Sequence, residues 1–155
     1  MPLQLMIAVA TLALVLPPAL SSFDSLQRQV STNRIEQEVD VLLLASRQVA
    51  SGGIGGVRIL ELDLDIRGLE KLRIGGPPGG GSESVTISYT TTWGREVNIL
   101  ADPVFHMSSV EGGSVLLFPE RVTLRLSLDI RQDYDEDGYA DRVVIVERFS
   151  MGESP

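Results

Sequence analysis

The chain has 155 residues, a formal net charge of −8, one histidine and no cysteine. That length fits one domain plus an appended segment. The acidic balance argues against nucleic acid, whose phosphates need a basic face, and disfavours an anionic membrane surface as partner of the folded part. Disulfides are excluded, and a lone histidine without cysteine leaves zinc no ligand set.

No charged residue precedes Asp24. Leu3, Leu5, Met6, Ile7, Ala8, Val9, Leu12, Leu14, Val15 and Leu16 surround a helix axis on every side. A helix that is apolar all round must be covered by lipid or by protein. About 20 such residues, at ~1.5 Å each, span the roughly 30 Å of a bilayer core. A removable signal peptide is the competing reading, with Ala19-Leu20-Ser21-Ser22 as its cleavage site. The first basic residue is Arg28, however, so the positive n-region is missing and a retained anchor or assembly helix is favoured. Pro17 and Pro18 lack the donors of an unbroken helix, and their rings clash with carbonyls one turn earlier. A kink or melted turn is therefore expected near residues 13–18.

From Ser21 to about Ala50 the pattern becomes amphipathic. Phe23, Leu26 and Val30 fall at helical spacing, and after a phase jump Ile35, Val39, Leu42 and Val49 continue the stripe. Leu42-Leu43-Leu44-Ala45 widens it, so burial should be deepest there. Gly52-Gly53 is a natural C-terminal stop. The chain thus divides into an N-terminal helix (1–51), a glycine hinge (52–56) and a head (57–155). A chain cut near Ser51 is expected to leave a soluble, monomeric head.

The head reads as β structure. Leu60, Leu62, Leu64 and Ile66 alternate with Glu61, Asp63, Asp65 and Arg67, a half-buried strand with one wet face. A shorter strand over Leu69–Ile74 precedes Gly75-Gly76-Pro77-Pro78-Gly79-Gly80-Gly81, a loop that regular structure cannot occupy. Strands follow over 85–90, 96–101, 114–118, 122–130 and 143–149, with Trp93-Gly94 as a turn. The fold class is α+β: a long hydrophobic, then amphipathic, N-terminal helix and an antiparallel β-sandwich-like head.

One motif points to chemistry. Asp133, Asp135, Asp137 and Asp141 stand at positions 1, 3, 5 and 9 of an EF-hand-type loop, with Gly138 at position 6 and the Tyr139 carbonyl at position 7. Alternate spacing turns the carboxylates towards one point, where they repel unless a cation sits among them. Position 12 is Val144 and the flanks are strands, so the expectation is a calcium-pinned β-hairpin rather than a sensor. The alternative is a solvated acidic turn. His106, beside Phe105, reads as a packed or surface residue. No nucleophile elbow or phosphate-binding Gly-Lys-Ser/Thr motif occurs, so no catalytic residue, small-molecule substrate or enzymatic activity is expected.

The opening Pro2-Leu3-Gln4-Leu5-Met6-Ile7-Ala8-Val9, the amphipathic continuation to Ala50, the glycine hinge and the all-β head together resemble an archaeal type IV pilin or archaellin-like filament subunit. The resemblance implies a homopolymer in which N-terminal helices bundle into a core and β heads tile the outside. It implies membrane insertion before assembly, then a place in an extracellular filament at the cell surface serving adhesion or motility. Two departures stand out. The short basic leader of the family is absent, which points to a mature or truncated chain, and Leu5 stands where many pilins carry Glu. The other reading is a membrane-anchored or secreted calcium-binding β-sandwich module that binds a partner without polymerising. An apolar stripe at Ile35, Val39 and Leu42 distinguishes a filament core or head-packing stalk from a simple tether.

Overall fold

The computed structural model describes residues 2–53, 55–77, 81–100, 105–130 and 142–149. One helix, α1 (Pro2–Ser51), precedes strands β1 (Val57–Asp63), β2 (Leu69–Ile74), β3 (Thr86–Thr91), β4 (Glu96–Leu100), β5 (His106–Ser109), β6 (Val115–Leu117), β7 (Arg121–Ile130) and β8 (Arg142–Arg148). The α+β class and the long N-terminal helix are as the sequence leads one to expect.

The melted turn expected at the two prolines does not occur: α1 is helical through residues 13–18. Proline withdraws the donors to the Ala13 and Leu14 carbonyls and crowds them, but the intact turns on either side hold the backbone in register. The Ser21 hydroxyl donates to the carbonyls of Pro17 and Pro18, and Ser22 donates to that of Pro18 at 2.8 Å. These hydroxyls sit one turn downstream and give carbonyls of the proline turn an acceptor role.

The strands form two four-stranded sheets, ordered β1-β7-β8-β5 and β4-β3-β2-β6. All pairings are antiparallel except β5 with β8, which run parallel from His106 opposite Val143 to Ser109 opposite Val146. Strand β5 was not legible in the sequence, because four residues with two adjacent buried side chains carry no alternation. The glycine-rich loop also differs from expectation at its far end, where Gly81 opens a 3-10 helix to Val85.

Alternation in β7 puts Val122, Leu124, Leu126 and Leu128 on one face, and the register sets Leu126 opposite Val146 and Leu128 opposite Val144. In the second sheet Leu72 lies between Tyr89 and Leu117, and Ile74 between Ile87 and Val115. These faces meet Ile35, Val39, Leu42, Ala45 and Val49 of α1 in one continuous core. Burial is deep at Leu42, Leu43 and Ala45, while Leu44 faces out. The second half of α1 is therefore one wall of the head, and a chain cut at Ser51 would lose it.

The sheets meet at Gly75. Its amide donates to the Thr86 carbonyl and that of Gly76 donates to the Met107 carbonyl. Gly75 has φ +61°, and a Cβ there would lie 2.0 Å from the Met107 carbonyl oxygen. Only glycine fits such a close approach at positive φ.

Candidate functional site: the exposed face of the N-terminal helix

Residues 3–26 of α1 are exposed throughout. Leu3, Leu5, Met6, Ile7, Val9, Leu12, Leu14, Val15, Leu16 and Leu20 are all exposed, from 45% at Leu16 to 76% at Leu14. By length and composition this helix can cross a membrane.

The phase jump seen in the sequence marks a change of face. At about 100° per residue, Ile35, Val39, Leu42 and Val49 form the stripe buried against the head. Phe23, Leu26 and Val30 lie on the opposite side and stay exposed, as do Val41 and Leu44 in the same sector. Asn33, Gln37 and Gln48 fill the remaining positions of that sector, so no charge interrupts it. An uncharged outer stripe thus runs on from the apolar stalk along the back of the head. Asp24, Arg28, Glu36 and Arg47 stand on other faces, and Arg34 and Asp40 flank the stripe on its two sides.

Polar contacts hold the inner side of α1 to the strands. The Asp63 amide donates to Glu38 Oε2 at 3.3 Å, and its carboxylate lies 3.7 Å from Arg34 and 3.9 Å from Arg121. Asp63 is thus a tie between helix and sheet rather than a merely solvated edge residue. The Tyr89 hydroxyl donates to Glu36 Oε1 at 3.2 Å. Burial raises its pKa above the ordinary 10.0, and the Glu36 carboxylate pushes the same way. At the far end Arg142 Nη1 reaches the Ala50 carbonyl at 3.4 Å, a cation at the helix C-terminus.

Where stalk meets head, the β1–β2 and β3–β4 turns approach α1. Arg67 Nη1 donates to Gln27 Oε1 at 3.1 Å. The Arg28 guanidinium lies 6.0 Å from the centre of the Trp93 ring and 3.5 Å from Asp24. The Trp93 ring rests against Gly68, where a Cβ would fall 2.1 Å from it. Together they line a cleft of about 390 Å³. Sequence reasoning missed this cleft, since its members come from three separate segments.

His106 is half-buried, with Nδ1 2.6 Å from the Ser84 hydroxyl, a contact joining the 3-10 helix to β5. Asp133, Asp135, Asp137, Tyr139 and Asp141 lie outside the described residues. The strands flanking them pair up to Ile130 opposite Arg142, so residues 131–141 connect the ends of an antiparallel pair. Among the described residues no cluster of His, Cys, Asp and Glu could hold a metal ion. Comparison with protein-family models, curated proteins and solved structures finds no match.

Proposed function

We propose that this chain is the structural subunit of an extracellular filament of the type IV pilus kind, polymerising through α1 with its β head on the outside. The observation that carries the reading is the exposed apolar surface from Leu3 to Val30, continued at Val41 and Leu44. Burying each large side chain is worth about 1.5–3 kcal/mol, too much to leave in water. A bilayer can cover residues before Asp24, and the chain rests there before assembly. Lipid does not reach the stripe along the head, which calls for other copies of the helix. A simple tether needs no such extension.

The test compares the full chain with one beginning at Gln27, which keeps every core residue of α1. Electron microscopy should find filaments of the full chain and monomers of the shorter one. Filaments from the shorter chain would refute polymerisation through the stalk. A full chain that inserts into vesicles and stays monomeric would favour the anchored β module.

The reading includes calcium at Asp133, Asp135, Asp137, the Tyr139 carbonyl and Asp141. The spacing of the acids supports it, as does their position between the paired ends of β7 and β8. The ion would neutralise the clustered carboxylates and fix the hairpin, a structural role.

A further inference from the structure

The cleft between stalk and head lies where the charge-free part of α1 ends. Residues 3–23 rise roughly 31 Å at ~1.5 Å each, close to the thickness of a bilayer core. Asp24, Gln27, Arg28 and Ser31 follow within the next two turns, and Arg67, Gly68, Thr92 and Trp93 complete the lining from the head. With the stalk across a bilayer, this cleft stands at the level of the headgroups. Trp and Arg are side chains suited to that depth, one by its amphipathic ring and the other by its long stem.

We propose that the cleft seats the phosphate of a phospholipid headgroup and so fixes how deep the subunit sits while membrane-inserted. The proposal rests on the membrane-inserted state given above. Arg67 makes no ion pair among the described residues; its one hydrogen bond there goes to the neutral Gln27 amide, which leaves its charge uncompensated and further guanidinium donors for phosphate oxygens. Arg28 contributes a second cation, already shared with Asp24 and the Trp93 ring. The Asp24 carboxylate opposes a second negative charge, which suits a zwitterionic headgroup over a polyanionic one and agrees with the acidic balance of the whole chain. Trp93 is held at a fixed height because Gly68, at φ +91°, lets the ring lie directly on the backbone.

Trp93 is the only tryptophan, so its fluorescence reports on this cleft alone. Full-length chain is incorporated into phosphatidylcholine vesicles and recovered by flotation. Nitroxide labels are placed on the headgroup or deep in the acyl chains. The expected result is a blue shift on insertion and stronger quenching by the headgroup label. Arg67→Gln should float equally well and lose that preference, whereas Arg67→Lys should keep part of it. Inorganic phosphate added to detergent-solubilised chain should not reproduce the shift. A phosphate-induced shift would make the cleft a general anion site and overturn the lipid assignment. A chain that floats with equal quenching by both labels, or an Arg67→Gln variant that behaves as wild type, overturns the cleft proposal alone. Failure to float overturns the membrane-inserted state and this proposal with it.

Discussion

Ser46 lies in α1 with its hydroxyl fully buried and, among the described residues, without a hydrogen-bond partner. An unsatisfied buried hydroxyl costs about 1–3 kcal/mol. Ser46→Ala should therefore raise the stability of the head by roughly 1 kcal/mol, read as a higher urea midpoint at unchanged slope. Tyr89 makes the opposite case, a buried hydroxyl with its partner. In the folded state its phenol holds its proton to higher pH than in the unfolded chain. Its contribution is thus complete below the unfolded value of about 10 and is lost as pH rises from there through the raised folded value. Thermal melts should show stability falling above pH 10. Tyr89→Phe should blunt that fall and cost about 1 kcal/mol at neutral pH for the lost bond to Glu36. Gly75→Ala should be worse than either, losing more than about 1 kcal/mol, because its methyl has nowhere to go beside the Met107 carbonyl.

At the scale of elements, α1 has two faces that do different work, and substitutions separate them. Leu44 is 58% exposed, so Leu44→Arg should leave the melting temperature of the head nearly unchanged. It should nevertheless suppress filaments in electron micrographs, because it puts a charge into the uncharged stripe. Leu42→Ala, one wall of the core, should cost about 2–5 kcal/mol instead. Much of this element-level picture was legible beforehand. The apolar run and the phase jump at Val30–Ile35 both read out in α1, and the alternation of Val122–Ile130 in β7. What escaped had no period. Strand β5 is held by its parallel pairing with β8, and the stalk–head cleft by contacts between Gln27 and Arg67 and between Arg28 and Trp93. Both depend on residues far apart in the chain. At the two prolines the regular helix on either side outweighs the local penalty, so the turn does not melt.

For the molecule as a whole, calcium and folding are linked if residues 133–141 take the ion. A ligand specific to the folded state adds about 2.7 kcal/mol at a hundredfold excess over its dissociation constant. Chelator should lower the melting temperature and calcium restore it, with Asp135→Ala abolishing the response. An unchanged melt, with no calorimetric binding at millimolar calcium, would leave a solvated acidic turn.

The packing of α1 against β1, β7 and β8 also fixes how the molecule bears force. The buried stripe from Ile35 to Val49 runs along the helix axis, and the stalk extends from it in the same direction. A pull on the stalk loads these contacts in shear, all together, and not one after another as in peeling. The ties from Asp63 to Glu38 and Arg34 resist the same sliding motion. Under axial tension a head would come away from its stalk only by failing along its whole core at once, so the rupture force should be high and the extension before rupture short.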